Sequence, residues 1–374
     1  MITGKTTSLI AVFMSSSAGG LIFLILPLVV GLIAEHLHLD EQQVGVIISI
    51  YFTGFLVTSV LAFFFFGRFK HKSLVSTGYF LLVPGLLGCG FSSSTGLLLA
   101  SLAVSGLGSG LLYGTSVSII SSSTESERNF GIMIAVQQAT ALLLFYSLPT
   151  WVFSTFGYLG CWITLASLII AMSISSRWLN SVVVEKANSN STQPTHAIVL
   201  SMASLLLHFC LMSAIWAFVE RLGVSRGYSY EDIAVTLAVS TLGGFAGAVI
   251  AAAIGNRLGH SFPHVFSSIL LLIIFYVLSA TDSWMIFLMS VTLFSAAWSY
   301  CLAYQMASVG NLSDRYAVLI PGVQGIAAVA GPILGGVIIA TGGYSGLLLA
   351  TAVAVIMASL GFLYQRVESR LISN

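Results

Sequence analysis

Twelve apolar runs, each long enough to cross a lipid bilayer, follow one another along this chain with almost no charge inside them. They cover residues 9–34, 43–66, 73–92, 97–121, 130–153 and 157–176, then 197–219, 233–254, 264–280, 284–309, 317–340 and 344–364. A helix needs about 20 apolar residues to span the hydrocarbon core, where the backbone must satisfy its own hydrogen bonds. None of the runs alternates with period two, so they predict helices and not the strands of a barrel. Only 7% of the 374 residues are charged and 57% are hydrophobic, whereas a soluble domain carries roughly 25% charge. So few charges cannot clothe a surface facing water. A soluble enzyme, a nucleic-acid binder and a disordered chain are thereby excluded. What remains is an all-α, multi-pass protein whose first partner is the lipid bilayer.

The segment 180–196, "NSVVVEKANSNSTQPTH", is the longest polar stretch. It reads as a flexible linker between two six-helix halves, 1–179 and 197–374. The opening "MITGKTTSLIAVF" runs straight into the first apolar run and reads as an uncleaved span. Basic residues set the orientation. With the N-terminus in the cytoplasm, eleven of them fall inside: Lys5, Arg68, Lys70, Lys72, Arg128, Arg177, Lys186, Arg257, Arg315, Arg366 and Arg370. Two, Arg221 and Arg226, fall outside. Both termini are therefore expected in the cytoplasm. The compact termini suggest a bacterial inner membrane. Cys89, Cys161, Cys210 and Cys301 all lie within apolar runs without metal spacing, and read as small buried hydrophobes. No cofactor or metal is expected.

The halves are related. "SERNFGIMIAVQQ" (126–138) aligns without gaps on "SDRYAVLIPGVQG" (313–325), pairing Arg128 with Arg315 and Gln137 with Gln324 at an offset of 187. Tyr113 falls on Tyr300 at the same offset. "LDEQQVGVI" (39–47) echoes "YEDIAVTLA" (230–238), each placing acids at a helix start, where the dipole favours them. Several matches in one order indicate a duplicated six-helix unit, an architecture of transporters with the site at the midplane between the halves.

With that repeat, the chain resembles the major facilitator superfamily over essentially its whole length. The signature loop after spans 2 and 8 of that family is a Gly-x-x-x-Asp-Arg-x-Gly-Arg pattern. Here the loops read "FFFFGRFKHK" and "AAAIGNRLGH". Arg68 and Arg257 are kept, while Gly67 and Asn256 stand at the acidic position. The resemblance implies a major facilitator fold of two pseudo-symmetric bundles, a cavity framed by spans 1, 4, 7 and 10, and an inner latch that is weakened or made differently. It also implies interhalf contacts through spans 2, 5, 8 and 11. Small residues four apart mark close packing: Gly106, Gly110 and Gly114; Gly243, Gly247, Ala251 and Gly255; Ala327, Gly331 and Gly335; Gly131, Ala135 and Ala139. A Gly-Pro-x-x-Gly-Gly run resembling the exporters' antiporter motif lies in span 11 and not in span 5, which counts against a drug exporter.

Candidate site residues follow from the cost of polar groups in lipid. His208, near the middle of span 7, is the one ionisable group found at depth, a candidate for solute binding or proton transfer. Glu35 and Glu220, at the outer ends of spans 1 and 7, are candidates for proton entry or gating. Uncharged candidates for the solute are Tyr113, Gln137, Gln138, Trp216, Trp298, Tyr300, Tyr304, Gln305 and Gln324, since amides orient polar solutes and aromatic rings stack on them. Glu125, Glu127, Arg128, Asp314 and Arg315, with Arg68, Asn256 and Arg257, belong to inner loops with capping or gating roles. No Lys, Arg, Asp or Glu lies mid-span, which favours a neutral, zwitterionic or amphipathic small solute.

No G-x-x-x-x-G-K-[ST] run is present, so ATP does not bind through a P-loop. No acid/base or metal set suggests an enzyme. The expectation is a secondary transporter of a small organic solute working by alternating access, with protons as a candidate coupling ion, monomeric and with no nucleic-acid partner. The alternatives are a multidrug or metabolite exporter working as a proton antiporter, and a lipid flippase of the same fold.

Overall fold

A computed structural model describes residues 2–38, 41–65, 69–123, 125–179, 195–259, 261–280, 282–312, 316 and 319–373. The linker 180–194 and three of the gating candidates, Arg68, Asp314 and Arg315, lie outside the described residues. The elements are helices throughout. We number them α1 (Ile2–Leu24, continued by Leu26–Leu37), α2 (Glu41–Phe65), α3 (His71–Gly90), α4 (Thr95–Ser121), α5 (Ser126–Ser147) and α6 (Ser154–Ser173). The second half holds α7 (Thr195–Ser225), α8 (Tyr230–Ile254), α9 (Ser261–Ala280) and α10 (Trp284–Leu312). The last element, Ile320–Ser373, is drawn as one helix but breaks at Gly343. Its apolar part, Ile320–Tyr364, has 45 residues and would be about 68 Å long if straight. A hydrocarbon core is about 30 Å thick, so the element is two crossings, α11 and α12. The described residues thus contain twelve apolar helices matching the twelve runs.

The two halves reverse direction by the same device. Gly157 (φ 60, ψ −154) turns the chain into α6, and Gly343 (φ 65, ψ −171) turns it into α12. That backbone region is open to glycine alone. The surrounding residues repeat at an offset of 186: Thr155, Gly157, Tyr158 and Gly160 against Thr341, Gly343, Tyr344 and Gly346. The repeat therefore extends into the turns.

The first half has a feature the second lacks. α1 breaks at Ile25 and bends by 52°, whereas α7 runs unbroken over 31 residues. Pro27 explains the break. It has no N–H, so the Phe23 carbonyl four residues earlier loses its helical partner, and the ring crowds that same carbonyl.

Small residues seat the helices, as the ridges predicted, and most of that packing is within a half. A side-chain carbon at Gly106 of α4 would collide with the Tyr51 carbonyl of α2, and one at Gly247 of α8 with the Ala296 carbonyl of α10. Gly331 and Gly335 of α11 lie on α7. The halves meet where α5 packs on α8 and α11 on α2. There a carbon at Gly131 would come 2.6 Å from the Ala252 nitrogen, and one at Gly325 would come 3.2 Å from Phe55. A β-carbon added to Gly310 of α10 would stand 3.2 Å from that of Ser121 of α4. These close contacts lie toward the end of the molecule that carries the chain termini. Toward the opposite end the halves part around a cavity of about 300 Å³.

Candidate functional site

A cavity of about 80 Å³ lies between the halves, midway along the helices. α1 contributes Gly19, Gly20, Phe23 and Leu24; α2 contributes Tyr51, Phe52 and Phe55; α4 contributes Tyr113; α5 contributes Ile134, Gln137 and Gln138. From the other half come Phe209 and Trp216 on α7, Ser295, Trp298, Ser299 and Leu302 on α10, and Gln324 and Ala328 on α11. No Asp, Glu, Lys, Arg or His is among them. A β-carbon on Gly20 would stand 3.5 Å from Gln137 and 3.7 Å from Tyr113. The missing side chain leaves the space that the cavity occupies.

Aromatic rings make one wall. Phe23 stacks on Phe209 at 5.4 Å, with 29° between planes. Trp298 stands edge-on to both, at 6.1 Å and 5.5 Å, and Phe52 is edge-on to Phe23 at 6.1 Å. Phe23 and Phe209 are 186 residues apart, so each half supplies one ring from the same place in the repeat. Quadrupole attraction favours such edge and offset contacts.

Polar side chains make the other wall and tie the halves together. Gln138 donates to Ser299 Oγ across the interface at 3.2 Å, and Tyr113 pairs with Gln324 across it. Within the first half Gln137 donates to the Ser16 carbonyl at 3.3 Å, and the Tyr51 and Ser109 hydroxyls are 2.5 Å apart. Trp298 Nε1 and Gln324 Oε1, on residues that line the cavity, are buried without a hydrogen-bond partner among the described residues.

Six of the residues expected from sequence therefore come together here: Tyr113, Gln137, Gln138, Trp216, Trp298 and Gln324. Four stand elsewhere. Tyr300 packs on Tyr304 at 5.2 Å, and Tyr304 donates to the Gly255 carbonyl at 2.9 Å. Gln305 turns toward His264 of α9, 3.4 Å from its Nδ1. His208 is wholly buried inside the second bundle, its ring 6.2 Å from that of His264. It lines no part of the cavity, and it is not the one imidazole at depth, because His264 is 4% exposed and 3.2 Å from Cys301 Sγ. Sequence reading missed His264 because it sits at the predicted start of its span.

Glu35 and Glu220 both line the larger cavity near the end opposite the termini, among apolar side chains such as Leu32, Phe145 and Leu237. At the other end, Arg128 and Glu125 form an ion pair at 3.2 Å, their side chains 57% and 63% exposed. An exposed pair of this kind contributes little. Asn256 and Arg257 are exposed on the short turn Gly255–Leu258. Glu127, expected in a loop, is instead buried in the first turn of α5, near Tyr304 of α10. Phe23, Phe52, Tyr51 and Phe209 went unrecognised because single aromatic residues in apolar helices look like core. The 186-residue spacing of Phe23 and Phe209 was the available signal.

Two six-helix halves, related by an internal repeat and closing on a central cavity, define a membrane transporter fold. The sequence profile of the Major Facilitator Superfamily matches residues 8–320, and the chain belongs to that family. Its structure is similar to that of the Major Facilitator Superfamily transporter FucP in the outward conformation, with a TM-score of 0.77 at 13% identity, covering 96% of this chain and 98% of that one. No curated protein matches the chain by sequence.

Proposed function

We propose that this protein carries a small uncharged organic solute across the membrane by alternating access, binding it in the central cavity. The carrying observation is the lining itself: side chains from both halves, and neither a cation nor a carboxylate among them. An anionic solute usually needs a buried cationic partner, and a cation a buried acid. Close packing toward one end and a cleft toward the other support an outward-open state in which the solute enters past Glu35 and Glu220. These two repeat-related carboxylates on the entry route are our candidates for proton entry. Their replacement by Gln alters the pH dependence of uptake if protons drive it. The distribution of basic residues supports cytoplasmic termini. The halves 1–179 and 197–374 move as two bodies of one monomer about the linker.

Thermal-shift screening of the purified protein tests this reading, because a solute that binds the folded state stabilises it. A hit should then show counterflow in proteoliposomes. Gly20→Ala adds one methyl at ordinary contact distance and should retain binding, while Gly20→Leu fills the cavity and should abolish it. Binding and counterflow that survive Gly20→Leu would place the solute elsewhere and refute the reading.

A further inference from the structure

The cavity at the end opposite the termini differs in chemistry from the central one. It is the larger, about 300 Å³ against about 80 Å³, and so reaches the size of a ligand pocket. Both halves build it. The outer part of α1 contributes Leu32 and Glu35, the end of α5 and the turn after it contribute Phe145 and Phe153, α7 contributes Glu220 and α8 contributes Leu237. Among its lining residues, only Glu35 and Glu220 carry a side-chain oxygen, and no Lys, Arg or His is present. The two cavities adjoin at a pair of rings. Phe145 lines the outer one and Trp216 the central one, and these rings stand edge-on, 6.4 Å between centroids. A molecule seated in the outer cavity therefore lies against the partition that separates it from the centre.

The lining discriminates among classes of ligand. An anion meets two carboxylates and no cation, and the anionic end of a zwitterion meets the same acids. A neutral apolar molecule suits the walls but takes water from the carboxylates without replacing it. A hard metal ion draws on about six oxygen ligands, more than two carboxylates hold, and gains nothing from apolar walls. An organic cation with an apolar body matches both features. Its charge is met by the carboxylates, its body by Leu32 and Leu237, and the faces of Phe145 and Phe153 attract a cation as well. The central cavity has no acid to receive that charge. We propose that the outer cavity is a binding site for apolar organic cations, which lodge there and go no further, so that they block the carrier and are not its cargo. The blocking step rests on reading the central cavity as the transport site; the binding step does not.

Matched probes test the binding step on the full-length purified protein at neutral pH and constant ionic strength. Benzyltrimethylammonium is a permanent cation, and neopentylbenzene is its uncharged isostere. Tetramethylammonium keeps the charge without the ring, and 3-phenylpropanoate reverses the charge. In thermal-shift titrations benzyltrimethylammonium should bind at least about tenfold more tightly than each of the other three. The double variant Glu35→Gln/Glu220→Gln should weaken it by a similar factor. A β-carbon on Gly31, which lines the cavity, meets nothing within 4 Å, so Gly31→Leu occupies the space without a clash and should also weaken it. The ranking of probes on the wild type holds whether or not a variant folds. Equal binding of the isostere or of tetramethylammonium, no binding of benzyltrimethylammonium, or binding unchanged in both folded variants would overturn the proposal. Labelled benzyltrimethylammonium in proteoliposomes tests the blocking step, with no uptake expected beyond that of protein-free liposomes. Protein-dependent uptake abolished by Gly20→Leu would overturn the block and the uncharged-solute reading together, and would leave the outer binding site in place.

Discussion

His208 carries two ring nitrogens that find no partner among the described residues, in a position with no measurable exposure. An ionisable residue deep in a span is by default a functional candidate. In the fold, however, α7 turns this side chain into its own bundle toward His264 and away from the central cavity. Which face of a helix meets which neighbour depends on tertiary packing that periodicity in a uniformly apolar helix does not record. Gln137 and Gln324 were legible for the opposite reason: the repeat marks them, and amides are rare enough in such helices to stand out. Replacing an unpartnered buried polar side chain by an apolar one of similar size removes a desolvation cost of about 1–3 kcal/mol. His208→Leu should therefore raise the thermal midpoint of the purified protein and leave solute counterflow intact. A lowered midpoint, or lost counterflow in a folded variant, would show that the imidazole has a partner or a role in transport.

Helices were the most legible elements, because in lipid hydrophobic length and secondary structure are nearly the same constraint. Their joints were less so. The apolar runs 130–153 and 157–176 suggest a loop between them, yet the chain passes through a six-residue π-helical turn, Leu148–Phe153, and reverses at Gly157. Glycine in an apolar helix most often signals close packing, and nothing in a single Gly-Tyr pair announces a turn. Only the Thr-x-Gly-Tyr-x-Gly pattern, standing once in each half, distinguishes the two. The backbone at these positions makes a definite prediction. Gly157 and Gly343 occupy a region that a β-carbon forbids, at a cost of order 1–3 kcal/mol for each residue forced into it. Open space surrounds both glycines, so a methyl would add backbone strain without a packing clash. Gly157→Ala and Gly343→Ala should each lower stability by about 2 kcal/mol, and the double variant by about the sum, since separate sites add. Denaturation midpoints in detergent check this, and values indistinguishable from wild type would mean that the turns relax into another geometry.

At the scale of the whole molecule, the structure is asymmetric in a way that a transport cycle would exploit. The halves press together near the termini and separate near the other end. Nothing in the sequence foretells which of the two arrangements predominates, because both bury the same helices and differ only in how two bodies lean. The contacts that hold the closed end are small residues, Gly131 against Ala252 and Gly310 against Ser121 among them. Such an interface can part without exposing an unpaired charge. Gly310 and Ser121 offer a direct test, because they face each other across the halves at the closed end, where a β-carbon added to Gly310 would stand 3.2 Å from that of Ser121. That is close to the separation of about 3.5–4.5 Å found in disulfides. The four native cysteines are buried and free, so a new pair can be oxidised with little competition. The double variant Gly310→Cys/Ser121→Cys should cross-link readily and lose counterflow when oxidised, then regain it on reduction. Solute binding should persist in the oxidised form, because the cleft at the opposite end stays accessible. If the oxidised protein transports at the reduced rate, the closed end does not open during the cycle, and rocking of the halves about the central cavity is excluded.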